Sequence, residues 1–539
     1  MRNLLLLCAG LILIQTAKAQ NNAEVVSISA PSSVPAGQTF SAIITMKNTG
    51  LTSWTTAARY ALGSESPRNN SNWVFAGRIA LPAEPVNPGD APEFTATFTA
   101  PTIPGVYNFA WGMVQDGAQW FGPIASQTIR VGNGRFTPGD LVVMQAVATG
   151  SDAISANGAA IVLNNFSRSS LNTTFVAAIP FTGPNAIVTG SSPFTGMIDL
   201  STEGSYIVVG GYNTNLPYGA SVEAATTPVP RAIGTVNSGG QFALNATTTT
   251  GFTGGTFRGA VSDGLNNFWG GGQNSGIYYF GNNLPPRQIS SLGTGTGVGA
   301  IRNLTMVNGR PYFSTSQFPS PGNFGVAAFT SVAPTAPDEP VLVINSGNTV
   351  TGATGTANPK GFYINTNLTI AYVVDQRTAP NGGIYRYNGT GAGTAGSWTY
   401  AYTIANNLFA NGGAFQEVVA DFSGPNPKIY ATAGAVATGV NAGTNLVTAI
   451  DNGAATTTFT LLATAPAGTA YRGLAFAPRP VTLSVARSGT DTVIRWNGGG
   501  TLRSASNVTG EFLPVPGSPT SPYTNTAPAE IEFYGVGAP

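Results

Sequence analysis

The chain has 539 residues, of which 8% are charged, with 69 Gly, 38 Pro, no His and one Cys. That length exceeds a single core and predicts two to four domains, and the Gly, Pro, Thr and Val content without helical spacing predicts an all-β protein of short strands and tight turns. The balance of 23 basic and 22 acidic residues, with no basic run, argues against nucleic acid or an anionic membrane surface as partner; the missing histidines exclude Ser-His-Asp and Cys-His catalysis and imidazole zinc sites.

Residues 1–19 read as a secretory signal: Arg2, an apolar run from Leu4 to Ile14, then Ala17-Lys18-Ala19. The run is too short for a membrane span. Cleavage after Ala19 removes Cys8, Arg2 and Lys18 and leaves 21 basic residues against 22 acidic. The mature chain then has neither a disulfide nor a thiolate. The expected location is secreted or cell-surface, with no cofactor and no metal.

Residues 23–131 alternate apolar and polar positions in FSAIITMKN and FTATFTAP, with turns at Pro88-Gly89 and Pro104-Gly105. This pattern predicts about seven antiparallel strands in a β-sandwich. Its segments PAGQTFSAIITMKNTGLTSWTTAARYALGS, NWVFAGRIALP and VNPGDAPEFTATFTAPTIPGVYNFAWGMVQDGAQWFG resemble the Ig-like central domain of the selective-autophagy cargo-receptor family, which also occurs in secreted bacterial proteins. The resemblance implies an immunoglobulin-like sandwich used for protein contacts, without catalysis. Trp54 and Trp111 are expected in its core. Trp120, beside the Gly117 turn, is a candidate exposed aromatic for a partner or a sugar.

Residues 132–139 form a Gly/Pro linker. From 140 to 480 one unit recurs, clearest in FRGAVSDGLNNFWGGGQNSGIYYFG at 257–281, with copies opening near 196, 257, 301, 361, 414 and 471. A period of roughly 45 to 60 residues built only of short strands is the mark of a β-propeller. The last copy, YRGLAFAP, is a lone strand, whereas GDLVVMQAV, AAIVLNNFS and FVAAIP at the front lack an opening strand. Pairing the 471–478 strand with them closes a ring of six blades. Seven is the alternative, if 168–196 holds another. The composition of this region resembles a loose group of secreted bacterial propeller proteins of unknown activity.

Residues 481–539 predict a small third β-module from VTLSVA, TVIRWNG, TLRSAS, FLPV and IEFYGV. They resemble the short C-terminal β-module of secreted bacterial proteins, although Glu511 and Gly535 depart from its usual Pro and Arg.

Arg258, Arg302, Gln416 and Arg472 stand second in their predicted inner strands, with Glu417 next to Gln416. Inner strands line a propeller channel, so these residues are the candidate ligand-binding set, a polar cationic ring at the mouth suited to carboxylates or acidic sugars. Bonding to loop carbonyls between blades is the plainer role. Trp269, Tyr278 and Tyr363 are further candidate exposed aromatics, with inter-blade core as their alternative. Asp199, Asp263, Asp421 and Asp451 sit in turn-like contexts. The expected function is a secreted, non-catalytic interaction protein with a protein or glycan partner at the cell surface. The alternative is a carbohydrate-active propeller, a glycoside hydrolase or lyase using a carboxylate pair near the channel.

Overall fold

The computed structural model describes residues 20–539 except 32, 35–36, 38, 74–76, 102–104, 132–133, 149–152, 169–172, 182, 217, 224–228, 253–254, 274–275, 282–284, 291–300, 317–322, 348–355, 378–381, 409–414, 435–444, 498–500, 518, 520, 527, 529–531 and 538–539. The predicted signal, residues 1–19, therefore lies outside the described residues. Every regular element among those described is a β-strand. No helix is long and apolar enough to cross a membrane. Two compact units divide at Asn133/Gly134.

In the first unit, a three-stranded sheet (Ala23–Ser29, Thr39–Asn48, Glu93–Thr99) faces a five-stranded sheet built on the long Gly105–Gln115 and Gln119–Val131 hairpin. The period-2 alternation in Thr39–Asn48 turns Phe40, Ala42, Ile44 and Met46 inward. Between the sheets Phe40, Trp73, Phe98, Phe109 and Trp111 pack mostly edge to face, with centroids 4.8 to 5.8 Å apart. Trp54 and Trp111 are fully buried in this core, as expected.

The second unit contains six four-stranded antiparallel sheets among the described residues. Their innermost strands are Ile198–Leu200, Phe257–Ser262, Ile301–Val307, Pro359–Ile364, Phe415–Asp421 and Thr469–Phe476. Each contacts the next, and the last contacts the first, so the ring is closed. Thr469–Phe476 pairs with Leu141–Val147, in register from Thr469↔Val147 to Phe476↔Leu141. The late strand thus completes the blade begun by the earliest ones. Among the described residues of 168–196 there is no seventh blade, because Thr173–Ala178 is the outer strand of that composite blade. The remaining residues form two three-stranded sheets over a small core of Ile494, Leu502 and Val515.

Candidate functional site

Five of the six inner strands open with the same irregularity. Pairing slips between Phe257 and Gly259, Ile301 and Asn303, Pro359 and Phe362, Phe415 and Glu417, and Tyr471 and Leu474. Such a bulge leaves one residue unpaired and bends the strand, which re-aims its side chain out of the ladder. The residues set there are Arg258, Arg302, Lys360, Gln416 and Arg472. Four were expected from the repeat and Lys360 was not. Pro359-Lys360-Gly361 reads like Phe257-Arg258-Gly259 and Tyr471-Arg472-Gly473, but its proline masks the aromatic that marks the other copies. The glycine that follows is required by close approach of neighbouring strands. A Cβ on Gly361 would lie 2.5 Å from Glu417 Oε1 and 2.6 Å from the Gln416 carbonyl oxygen. Where this third residue is larger it is Asn303 or Glu417, and Asn303 Nδ2 donates to Glu417 Oε1 at 3.1 Å.

The cationic ring exists, and it is filled from within. Residues 190–196 form a loop that carries Phe194 into the ring. The Phe194 ring centre lies 4.8 Å from Arg258 Cζ, 4.2 Å from Arg302 Cζ and 4.7 Å from Lys360 Nζ. Lys360 Nζ donates to the Pro193 carbonyl at 2.7 Å. Arg472 donates to the Gly190 carbonyl at 2.8 Å, Thr195 Oγ1 at 2.9 Å and the Ser191 carbonyl at 3.2 Å. Glu223 accepts from the Ser192 N–H at 3.1 Å and holds the loop from its other side. Burial pushes Arg258 down to about 9, with the charge of Arg302 adding to it, and pushes Arg302 and Arg472 down to about 10. All three remain cations at neutral pH. Burial, and then the Arg302 charge, hold Lys360 well below the ordinary lysine range.

Towards the C-terminal ends of the inner strands the channel opens into a cavity of about 220 Å³, lined by Asp199, Asn303, Thr305, Tyr363, Glu417, Leu474 and Phe476 among others. Asp199 was expected in a turn. It belongs instead to the inner strand Ile198–Leu200, and its carboxylate accepts from Thr305 Oγ1 at 2.9 Å and the Met306 N–H at 3.0 Å. Burial raises it to about 7. Glu417 Oε1 accepts from Asn303 and from the Val418 N–H at 3.1 Å. Burial raises Glu417 to about 8; Lys360 opposes this rise and the Asp199 charge adds to it. The cavity therefore presents two carboxyl groups poised near neutrality, which donate as well as accept. Beside them Tyr363 is stacked on Phe422 at 6.1 Å and meets Phe476 edge-on at 6.2 Å.

The other candidate aromatics are less available than expected. Trp269 is a correction: it is fully buried, and its indole N–H donates to the Pro334 carbonyl at 2.8 Å. Tyr278 is half-buried against Phe252, 4.9 Å between centroids. Trp120 is half-buried in the Ig-like unit between the guanidinium groups of Arg68 and Arg78, each 5.1 Å from its ring. Asp263 does serve its turn, accepting from the Leu265 N–H at 2.8 Å.

Residues 27–131 match the family model described as the Ig-like domain from next to BRCA1 gene. The first unit carries this Ig-like domain. Among solved structures, the chain is similar to a Bacteroides uniformis ATCC 8492 protein bearing the provisional name 6-phosphogluconolactonase, at 13% identity and a TM-score of 0.35, over 74% of this chain and 100% of that one. It is also similar to YCF48 bound to D1 peptide (10% identity, TM-score 0.32, 68% of this chain and 93% of that one). A prolyl endopeptidase matches at 11% identity and a TM-score of 0.27, over 77% of this chain and 54% of that one. Likeness at this level carries no argument about activity. No curated protein matches the chain.

Proposed function

We propose that this is a secreted, non-catalytic interaction protein whose propeller channel holds the end of a neutral glycan, with the Ig-like domain making protein contacts at the cell surface. The observation that carries this reading is the pairing of Asp199 and Glu417, raised to about 7 and about 8, in one cavity walled by Tyr363, Leu474 and Phe476. Carboxyl groups that burial brings close to neutrality, together with Asn303 and Thr305, supply donors and acceptors for hydroxyls, while the aromatic and aliphatic wall suits the C–H faces of a sugar. The cavity size fits a single terminal sugar rather than an extended chain.

A second reading has one observation in its favour. Asp199 and Glu417 share the cavity and Glu417 feels the Asp199 charge, and a carboxylate-pair hydrolase needs two acids in one such cavity. A glycan array with product analysis, run on the wild type and Glu417→Gln, separates the two. The amide keeps a donor and an acceptor in place. Binding retained by Glu417→Gln, with no released sugar from either protein, supports the receptor. Release by the wild type that Glu417→Gln abolishes supports the hydrolase. No ligand for either protein sinks the cavity reading and moves the search to protein partners of the Ig-like domain.

A further inference from the structure

The ring at the opposite end of the inner strands has an unbalanced charge. Arg258, Arg302, Lys360 and Arg472 converge on the 190–196 loop, and the last two are at most 1% exposed. The acids that face them are Glu223, which feels Arg472 and Arg258, and Glu417, which feels Lys360. Burial raises both acids, so the three guanidinium groups meet less negative charge than two ordinary carboxylates would supply, and burial also holds Lys360 well below the ordinary lysine range. Hydrogen bonding around the ring is incomplete. Nε and Nη1 of Arg302 and Nε of Arg472 are buried donors without an acceptor, and Gln416 Oε1 and Glu417 Oε2 are buried acceptors without a donor. Lone buried cations are costly unless paired, and a buried donor without a partner carries its full desolvation cost. The group at the centre is Phe194, whose uncharged ring face attracts cations but accepts none of the in-plane N–H groups.

We propose that the ring is a carboxylate-binding site and that Phe194, carried by the 190–196 loop, occupies it until such a ligand displaces it. A carboxylate has what the ring lacks: negative charge and two acceptor oxygens in the plane that guanidinium donors prefer. The loop suits a movable stopper. Its hold on the ring includes the Lys360 bond to Pro193, the Arg472 bonds, the cation contacts of the Phe194 ring and, at its end, the Gly473 N–H bond to the Gly196 carbonyl, with Glu223 bonded to Ser192; the incoming oxygens would take over the Lys360 and Arg472 bonds. The bulges that aim the cations belong to the blades themselves, so the ring persists when the loop lifts. This site lies at the opposite end of the inner strands from the neutral-glycan cavity and, although Glu417 of that cavity feels Lys360, it does not rest on the glycan reading.

The test is ligand-observed NMR on the full secreted chain with acetate, galacturonate and galactose as probes. In Phe194→Ala, acetate and galacturonate are expected to bind roughly ten-fold more tightly than in the wild type, since each protein–ligand gain need no longer displace the stopper. Galactose is expected to gain nothing. In Phe194→Ala/Arg302→Met, carboxylate binding is expected to fall back to or below the wild-type level. Acetate and galacturonate binding equally identifies a general carboxylate site, whereas galacturonate alone identifies an acidic-sugar site; both support the proposal. Carboxylate binding by neither protein overturns it, as does a gain for Phe194→Ala that galactose shares or that Arg302→Met leaves intact. Lys360→Met in the Phe194→Ala background serves in place of Arg302→Met if that double variant does not fold. Retained near-ultraviolet circular dichroism shows which variants are folded.

Discussion

At the residue scale, the buried acid Glu417 makes stability depend on pH in an unusual direction. Its folded pKa of about 8 stands well above the ordinary carboxyl range, so between roughly pH 4.3 and pH 8 the folded state holds a proton that the unfolded state has lost. Stability from this group is fully present below that window and is lost as pH rises through it. Replacing the acid by an amide removes the effect. Glu417→Gln is therefore expected to match the wild type near pH 4 and to exceed it by on the order of a few kcal/mol at pH 9, read from denaturant melts across the range; a constant difference at all pH values would contradict the burial argument. Binding follows the same logic. Glycan binding by the wild type is expected to weaken as pH rises through about 7 to 8, while Glu417→Gln keeps only the part of that fall that belongs to Asp199. Trp269 offers a plainer prediction. It is fully buried and its N–H is paired, so Trp269→Ala is expected to cost about 3–5 kcal/mol. A cost below about 1 kcal/mol would mean that the blade collapses around the hole. Residue-level legibility was uneven. Arg258, Arg302 and Arg472 stood out because the repeat aligned them, whereas Asp199 did not, since Asp-Leu-Ser-Thr-Glu-Gly has the composition of a turn. Only the partners of its carboxylate, Thr305 and Met306 from a sheet two blades away, reveal its role.

At the scale of the element, three of the six inner strands carry a cation followed by a glycine, each for a separate physical reason. The bulge sets the cation free of the ladder, and the glycine lets the neighbouring strand approach. Gly473 makes this plain, because a Cβ there would lie 2.5 Å from the Gly196 carbonyl oxygen and 2.7 Å from the Ile198 nitrogen. Backbone atoms of the next blade cannot yield as a flexible side chain does. Gly473→Ala and Gly361→Ala are each expected to destabilise by about 1–3 kcal/mol, checked by thermal melting. Alanine at Gly396 in an outer turn, with nothing near its Cβ, pays only for its positive φ of 78°. The period and the alternation of the inner strands were readable from the chain because the inner strands repeat. The bulges were not, since a one-residue slip in pairing leaves no mark in hydrophobic pattern when the flanking residues on both faces are buried.

For the whole molecule, the ring depends on one late strand. Without Thr469–Phe476, the Leu141–Val147 strand would lose its inner partner and expose an edge beside the sixth blade. A chain ending after Ala465 is expected to aggregate or to lose its cooperative melt. A chain ending after Pro480 keeps every blade strand and is expected to melt close to the full chain; scanning calorimetry compares the two directly. The order of modules and the closing strand were legible because both leave gross traces: a period, an unpaired opening and a leftover end. The occupant of the channel was not, since GSSPFTG reads as an ordinary polar loop and its contacts with Arg258, Arg302 and Lys360 come from three other blades.

The composite blade also imposes a timetable on synthesis. Thr469 and Val147 pair across more than three hundred intervening residues, so the ring cannot close until nearly the whole chain has emerged. The Ig-like domain needs nothing beyond Val131 for its own sheets and is free to fold first. Until closure, the waiting strand at Leu141–Val147 is a sticky, apolar template, and chaperones that guard nascent chains have their most exposed client there. A polypeptide whose last strand seals its first thereby stays easy to unravel until synthesis is nearly complete, and becomes hard to unravel only after closure.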